Sequence, residues 1–221
     1  MTRIVDPVLD DLRHRLITMG ALAETILEKS LRAVWERDAA LAREVKIDDL
    51  EIDRRDLEID EAVLRILALQ APVADDLRNV IAIKMIATDL ERVGDLARNI
   101  AKSALRLANR EAVEISPKLR ELAEEARRLL RLALDSFSDR DVAKAEGVLR
   151  EDDQVDEDQD VVIRDAIGEI ASRPEATSQE VDFILIAKNL ERVADHATNI
   201  AEDVILVAQG RNLKHAEKLA G

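Results

Sequence analysis

The amino-acid sequence predicts an all-α protein of two tandem, pseudo-symmetric three-helix bundles, with six long antiparallel helices in total. Three observations support this fold class: the composition, an internal repeat and the spacing of apolar residues. Gly and Pro number only six and four among 221 residues, while Ala, Leu, Glu and Arg are abundant. Such residues lose little side-chain freedom in a helix. Only three aromatics occur, so the predicted core is aliphatic.

The chain repeats itself at a period of about 100 residues. Leu90–Ala101 reads LERVGDLARNIA and Leu190–Ala201 reads LERVADHATNIA, with nine of the twelve positions identical. An Asp-x-x-(Ile/Val)-Asp pattern that begins at Asp49 recurs at Asp152, in the same order within each half. The repeat indicates two copies of one three-helix unit. The predicted bundles are residues 1–112 and 113–221.

Apolar residues at steps of three and four define amphipathic helices along the chain. In the first and third helix of each half, these stripes run from Leu9 to Ile26, Ile83 to Leu107, Leu119 to Ala133 and Phe183 to Val207. The second helix has two apolar lines, which predict a helix that contacts two neighbours. One line is Val45, Ile52, Ile59 and Ile66, and the other is Leu50, Leu57 and Leu64.

Helix boundaries are predicted where capping residues and prolines occur. Expected N-caps are Asp38, Asp141 and Ser116, the last followed by Pro117. Pro72 and Pro174 mark the turns into the third helix of each half. Thr177 with Glu180 has the spacing of a capping box for the last helix.

Each third helix carries polar oxygens at four-residue spacing, which places them on one side of the helix. The two sets are Glu91, Asp95 and Asn99, and Glu191, Asp195 and Asn199. The apolar stripe points away from this side, so we expect the oxygens at the flank or outer face of the bundle.

The preceding helix supplies more carboxylates at matching heights. Asp53 lies 19 residues before Pro72 and Glu91 lies 19 after it, while Asp49 and Asp95 lie 23 residues to either side. Helices joined by a short turn run antiparallel, so these pairs should come level. In the second half, Asp152, Asp156, Glu191 and Asp195 are arranged in the same way around Pro174, to within one residue.

Four carboxylates per half would repel one another without a cation. Oxygen ligands favour Mg, Mn, Ca or iron over softer metals. The sequence therefore predicts two metal sites. The candidate ligands are Asp49, Asp53, Glu91, Asp95 and Asn99 in the first half, and Asp152, Asp156, Glu191, Asp195 and Asn199 in the second.

A purely structural interpretation remains open, because 47 acidic residues give many such pairs by chance. Arg92 and Arg192 offer neutralising charge beside the two motifs. His196 lies one residue off the oxygen line, so we expect it to pack or face solvent, while Glu202 is a candidate addition to the second cluster.

The charge and composition also exclude several functions. A net charge of −14 with few aromatics lacks the basic footprint of a nucleic-acid binder. There is no Cys, hence no disulfide or thiolate site. The first fifteen residues lack the apolar run of a signal peptide, and no stretch has the roughly 20 apolar residues of a membrane span. We expect a cytoplasmic protein that meets the membrane only through partners.

The duplicated LERV motif, together with QAPVADDLR at Gln70–Arg78, resembles the PhoU family of phosphate transport regulators over essentially the whole chain. The resemblance implies paired three-helix bundles, often dimeric, whose Glu/Asp-x-x-x-Asp motifs bind multinuclear metal clusters. Those motifs correspond to Glu91 with Asp95 and Glu191 with Asp195. The divalent or trivalent ions then expected are Mg, Mn, Fe or Zn.

The resemblance also implies a role without catalysis. Such proteins restrain the phosphate-starvation response by linking the ATPase subunit of the phosphate ABC transporter to a membrane sensor histidine kinase. Two alternatives stay open: service to a different, low-affinity phosphate transporter, and a helical scaffold without metal. A di-iron oxidase is disfavoured, because neither Glu91 nor Glu191 has a His three residues on. Gly94 is replaced by Ala194 in the second copy, so we expect the two clusters to differ in metal affinity.

Overall fold

The structure, a computed structural model, describes residues 6–210, and that range contains six α-helices and no strand. The helices are α1 (Asp6–Trp35), α2 (Ala39–Gln70), α3 (Ala74–Ala108), α4 (Pro117–Asp139), α5 (Val142–Ser172) and α6 (Thr177–Gln209). A single 3-10 turn, Pro174–Ala176, precedes α6. The all-α prediction with six long helices is confirmed.

The helices form two bundles that pack side by side. Helices α1, α2 and α3 contact one another, as do α4, α5 and α6, and α3 also packs along α6. Helices α2 and α5 contact only their own bundle, so they lie at the periphery. One continuous apolar cluster extends through both halves. The predicted boundary at residues 112 and 113 falls in the connection between α3 and α4, and the division into two domains stays a prediction.

The apolar stripes of α1, α3, α4 and α6 are buried as predicted, apart from half-buried residues at their ends. The stripe of α3 from Ile83 to Leu107 and that of α4 from Leu119 to Ala133 are fully enclosed, and in α6 only Val207 at the end is half-buried. These side chains come from facing helices, and their burial is the main stabilising term of the fold.

Helix α2 contacts two neighbours, α1 and α3, as predicted, but only one of its two apolar lines is buried. Its Val45–Ile66 line is buried, but Leu50, Leu57 and Leu64 are more than half exposed. The physical reason is the position of α2 at the edge of the array, where its neighbours α1 and α3 cover only one side. The second apolar line of α2 is therefore left largely exposed.

Most predicted boundaries are confirmed at the level of individual hydrogen bonds. Asp38 accepts from the backbone N–H groups of Ala40 and Leu41 at 2.7 and 3.0 Å, and Asp141 caps α5 in the same way. Ser116 caps α4, with Pro117 at its first position.

The predicted capping box at Thr177 is wrong. The Thr177 hydroxyl donates to the carbonyl of Pro174 at 2.6 Å instead of accepting from α6, because the 3-10 turn already leads the chain into the helix. Glu180, the other predicted member of the box, is buried.

A set of ion pairs joins the two halves of the molecule where α3 ends and α6 begins. The buried carboxylate of Asp182 in α6 accepts from Arg106 Nε at 2.7 Å, in the last turn of α3, and from Arg110 Nη1 at 2.8 Å, just after that helix. Arg110 also donates to the carbonyl of Ser178 at 2.8 Å. These contacts fix the end of α3 against the start of α6, and so fix the relative height of the two halves.

Candidate metal centres

The first carboxylate cluster, Asp49, Asp53, Glu91 and Asp95, lies where α2 and α3 pack together. Asp49 is almost fully buried, and its Oδ1 lies only 3.0 Å from the position that a Cβ at Gly94 would take. Burial raises the pKa of Asp49, and the charges of Asp53 and Asp95 raise it further. Burial likewise raises the pKa of Glu91, with added repulsion from Asp95 and Asp53. The hairpin thus brings the four carboxylates close enough to repel one another.

A basic side chain from α3 is built into this first cluster. Arg98 Nη1 donates to Asp49 Oδ2 at 2.7 Å, and Arg98 Nη2 donates to Asp95 Oδ1. The guanidinium therefore bridges the two helices, and its charge opposes the rise in the pKa of Asp49. A buried carboxylate is expensive unless it is paired and hydrogen-bonded. Arg98 supplies that pairing from within the chain.

Two further basic side chains lie at the rim of the first cluster. Arg92 approaches Glu91 at 3.3 Å and Asp95 at 3.2 Å, with half of its side chain exposed. Lys102 donates to Asn99 Oδ1 at 3.0 Å. Asn99 therefore lies one turn beyond the carboxylates with a hydrogen-bond partner of its own.

The second carboxylate cluster, Asp152, Asp156, Glu191 and Asp195, lies at the equivalent place between α5 and α6. Burial raises the pKa of Asp152 to about 6, reinforced by the charges of Asp195 and Asp156. Burial also raises the pKa of Glu191 and of Asp195, again with repulsion from neighbours in the cluster. The predicted level pairing therefore brings these four side chains into mutual repulsion as well.

The second cluster differs in its surroundings. The position of Arg98 is taken by Thr198, whose hydroxyl donates to the carbonyl of Asp195 at 2.7 Å. The position of Lys102 is taken by Glu202, whose charge contributes to the raised pKa of Asp152. Within residues 6–210, no Lys, Arg or His side chain forms an ion pair with any of the four carboxylates.

Asn199 and His196, at the edge of the second cluster, turn towards the other half of the molecule. Asn199 Nδ2 donates to Asp89 Oδ1 on α3 at 3.2 Å, and His196 Nδ1 lies 2.8 Å from the same oxygen. His196 is largely buried, so it packs at the junction of the halves. Asn199 is thus engaged in a contact between α3 and α6 that its spacing did not reveal.

The donor chemistry of both clusters suits hard cations, but the side chains are spread apart. Across the described range, no three His, Asp or Glu side chains converge on one point closely enough to hold an ion as they stand. In the first cluster, Arg98 lies between Asp49 and Asp95. In the second, mutual repulsion opposes close approach. To share an ion, these carboxylates would have to converge by rotating their side chains. In the second cluster, no arginine among residues 6–210 is ion-paired with them, although the charge of Arg192 lowers the pKa of Glu191 and Asp195.

Sequence reasoning missed Arg98 and Asp89, although the repeat held a signal for the first. Among the twelve aligned positions, Arg98 against Thr198 is the one at which an arginine is gained or lost. Asp89 gave no signal of its own, because its partners lie about 110 residues away on another helix. The alignment of the two repeats thus contained a signal for Arg98. The contact of Asp89 with the other half could be found only from the folded structure.

Among residues 6–210, no helix has both the length and the apolar character that a membrane span requires.

Known proteins resemble this chain in sequence and in structure. A family model described as the PhoU domain matches residues 16–104 and 119–204. A Pseudomonas aeruginosa protein named as a phosphate-specific transport system accessory protein PhoU homolog is 34% identical over 94% of this chain and 86% of its own length. A Zymomonas mobilis protein of the same name is 37% identical over 94% of this chain and 88% of its own.

Two crystal structures have the same architecture. PhoU from Pseudomonas aeruginosa superposes with a TM-score of 0.90 at 33% identity, covering 94% of this chain and all of that one. The phosphate transport system regulatory protein PhoU from Streptococcus pneumoniae gives a TM-score of 0.88 at 28% identity, covering 94% and 98%. In both comparisons the aligned part covers 94% of this chain.

Proposed function

The chain belongs to the PhoU family, and on that premise we propose that it is a metal-binding cytoplasmic regulator of phosphate uptake. In this proposal it acts as an accessory protein of a phosphate transport system and restrains the phosphate-starvation two-component response. It does so by docking to the ATPase subunit of the phosphate ABC transporter and to the sensor histidine kinase, without catalysis of its own.

The phosphate part of the proposal is supported by the relatives. Several that align with nearly the whole chain at 30% identity or more are named as accessory proteins of the phosphate-specific transport system. The PhoU domain model matches both copies of the helical unit, at residues 16–104 and 119–204.

The metal part of the proposal rests on the second carboxylate cluster above all. Among residues 6–210, Asp152, Asp156, Glu191 and Asp195 lie together without an ion-pair partner, and burial with repulsion raises the pKa of three of them. This set would hold Mg, Mn, Fe or Zn ions through its oxygens, with Glu202 at its edge. A bound ion supplies positive charge, which makes an acidic patch able to meet anionic groups on a partner.

The first carboxylate cluster also fits a second assignment, as a structural ion-pair site without metal. The observation that favours it is the bridge from Arg98 to Asp49 and Asp95. An internal guanidinium meets the need for positive charge that a metal meets in the second cluster. We therefore propose that the second cluster holds the tighter metal site.

Metal content tests this assignment. We expect protein purified without chelator to retain metal, measured by inductively coupled plasma mass spectrometry. D152N/E191Q/D195N should lose most of that metal while circular dichroism stays unchanged. The control E157Q, which neutralises an exposed acid of α5 outside the cluster, should keep it. Equal metal content in the cluster variant and the control would refute the metal site.

Partner capture tests the regulatory role separately. The tagged wild-type chain should recover an ABC transporter ATPase or a sensor histidine kinase from phosphate-replete cells, identified by mass spectrometry. We expect the D152N/E191Q/D195N variant to recover less of both, and E157Q to behave as the wild type. Recovery of only a low-affinity phosphate transporter would favour that alternative, and recovery of neither kind of system would refute the proposed role.

We also propose that the protein acts as a homodimer. In a dimer, two copies of the second carboxylate cluster would be presented on one assembly.

A further inference from the structure

A cavity of about 410 Å³ lies in the second half of the molecule, between the start of α4, the second half of α5 and the start of α6. Cavities of this volume are typical of sites that hold small ligands. The buried apolar residues that line it are Leu119, Val162, Ala166 and Phe183. The cavity thus offers an apolar surface on which the carbon atoms of a ligand can pack.

The first half of the chain has a packed apolar core at the equivalent place. The repeat pairs α2 with α5 at an offset of 103 residues, and α3 with α6 at an offset of 100. The buried residues of the first half at three corresponding positions are Val63, Ile66 and Val80. In the second half, the same positions hold Ala166, Glu169 and Glu180, which all line the cavity. One core position has become smaller and two have become acidic, so the fold itself does not require this cavity.

The buried acid of the cavity, Glu180, has no partner. Its residue is only 5% exposed, and within residues 6–210 it forms no hydrogen bond or ion pair through its carboxylate. Burial raises the pKa of Glu180, with added repulsion from Glu169, and Arg173 opposes the rise. Arg173 is itself engaged, because its Nε donates to Glu169 at 2.8 Å. A buried carboxylate is costly unless it is paired, so this position calls for a positive group from outside the chain.

A purely structural role explains Glu180 less well. It lies in the first turn of α6, where the helix dipole favours an acid. That interaction is equally available to an exposed acid, such as one at the neighbouring Ser178, which is exposed. It therefore does not account for a carboxylate at a core position that borders a cavity.

The charges around the cavity favour a cationic ligand. Four carboxylates line it against two guanidiniums, which belong to Glu114, Asp165, Glu169, Glu180, Arg164 and Arg173. A metal ion fits this site poorly, because no three acidic or histidine side chains within residues 6–210 converge on one point. An organic cation fits better, since Phe183 adds an aromatic ring that attracts positive charge and the apolar lining accommodates an alkyl chain.

We propose that this cavity binds a small aliphatic diamine, with one ammonium group paired to Glu180 and the alkyl chain packed against Val162 and Phe183. The second ammonium group meets the exposed acids Glu114 and Asp165. This site goes beyond the proposed regulatory role and does not depend on the metal sites, since Glu191 of the second carboxylate cluster lies about three turns further along α6.

Isothermal titration calorimetry of the full-length protein with putrescine, a four-carbon diamine, tests the site. About 0.15 M salt screens attraction of the diamine to the acidic surface. We expect one saturable site in wild type, with a dissociation constant below about 1 mM. E180Q should weaken binding about tenfold or more, because a charge-assisted hydrogen bond becomes a neutral one.

Two controls locate the binding. E175Q removes an exposed acid just before α6 that does not line the cavity, and it should bind as the wild type does. D152N/E191Q/D195N removes three acids of the second carboxylate cluster and should also bind putrescine normally. Loss of binding in that cluster variant, with E180Q unaffected, would overturn the site.

Substitution by residues of the first half tests the cavity itself. E180V introduces the residue found at Val80, so it should abolish binding and raise the midpoint of urea denaturation, because an unpaired buried carboxylate is removed. A166V introduces the residue found at Val63, keeps the acid, and should weaken binding by narrowing the cavity. A lower midpoint in E180V, with binding unchanged in A166V, would show that Glu180 is structural and would overturn the site.

The remaining outcomes separate the sources of the ammonium group. A lysine side chain of a partner protein carries the same group, so a blocked lysine, Nα-acetyl-lysine amide, is titrated in parallel. Binding of that compound but not of putrescine, or equal putrescine binding in wild type and E180Q, would overturn the diamine site. Metal retention by the second carboxylate cluster is measured independently, so failure of this inference is distinguishable from failure of the proposed function.

Discussion

The two carboxylate clusters occupy equivalent places in the two halves of the molecule, but they balance their charge differently. In the first, Arg98 bridges Asp49 and Asp95 from within the chain. In the second, Thr198 replaces the arginine, Glu202 replaces Lys102, and the pKa of Asp152 rises to about 6. The comparison teaches that a repeat can retain a group of acidic residues while changing the residues that neutralise them.

The size of the electrostatic energies favours a need for added positive charge in the second cluster over a surface ion-pair network without function. Two like charges 4 Å apart cost about 4 kcal/mol at an effective dielectric constant near 20. An exposed ion pair, by contrast, contributes about 0 to 1 kcal/mol. The unpaired second cluster therefore carries a cost that peripheral arginines offset only in part, and a cation from solution removes it. In the first cluster, the Arg98 guanidinium already offsets much of the corresponding repulsion.

The largest expected effect is on metal affinity. Equivalent substitutions in the two clusters should change that affinity by very different amounts. We expect D152N/E191Q/D195N to weaken Mn²⁺ binding by about 100-fold or more, since it removes three of the four oxygen ligands, equivalent to about 2.7 kcal/mol. The corresponding variant of the first cluster, D49N/E91Q/D95N, should weaken the tight site less than threefold. Isothermal titration calorimetry measures both, and equal losses would contradict the comparison.

The next largest effect is on stability, and it tests the role of the Arg98 guanidinium in the first cluster. R98T leaves the buried Asp49 without its partner, so we expect a loss of about 2 to 3 kcal/mol in the free energy of unfolding without metal. The control R92T removes a half-exposed arginine of the same cluster and should cost less than about 1 kcal/mol. Urea denaturation distinguishes the two, and a similar small loss in both would show that Arg98 is only a surface residue.

A smaller effect is the pH dependence of the second cluster. The folded-state pKa of Asp152, about 6, lies above the value of about 3.9 in an unfolded chain. Its stabilising contribution is therefore fully present below pH 4 and is lost as the pH rises through 6. Without metal, D152N should match wild type in stability near pH 4 and exceed it by about 1 kcal/mol at pH 7, after allowance for solvent screening.

Thermal melts of wild type and D152N across this pH range, in the presence of chelator, measure that difference. Adding Mn²⁺ should reverse the order at pH 7, because the ion stabilises only the protein that can bind it. A stability difference that is the same at pH 4 and pH 7 would show that Asp152 does not titrate in this window.

The smallest effect concerns the close approach of α2 to α3 in the first half. A Cβ at Gly94 would lie 2.9 Å from Ile52 Cδ1 and 3.0 Å from Asp49 Oδ1, whereas nothing lies within 4 Å of the equivalent point at Gly168. Replacing a helical Gly by Ala usually adds about 1 kcal/mol to stability. We expect G168A to show that gain and G94A to show none, by urea denaturation. A full gain in G94A would mean that the contact is easily relaxed.

The fold followed from local patterns and from the repeat. The three- and four-residue apolar spacing located the helices, and the caps at Asp38 and Asp141 located their starts, because both signals are local in sequence. The stripe at Leu57 was misassigned because periodicity shows that a face is apolar, but not whether another helix lies against it. Only the packing of α3 along α6 shows that α2 is peripheral.

For the candidate site, the sequence predicted which residues lie near one another but not how their side chains are oriented. Counting residues from Pro72 and Pro174 predicted which carboxylates lie near one another, since chain length sets the heights of residues in a helical hairpin. It did not give the directions of the side chains, which decide that Arg98 bridges Asp49 and that Asn199 turns to Asp89. Those outcomes depend on burial and on partners from other helices, which residue spacing does not encode.

The most direct test of the central claim is to exchange the two distinguishing residues. R98T/T198R moves the internal guanidinium from the first cluster to the second without changing composition. We predict that Mn²⁺ titration of this variant still finds one tight site, and that D49N/E91Q/D95N now abolishes it while D152N/E191Q/D195N does not. A tight site that remains sensitive only to the second-cluster substitutions would contradict the claim that Arg98 decides which cluster takes the metal.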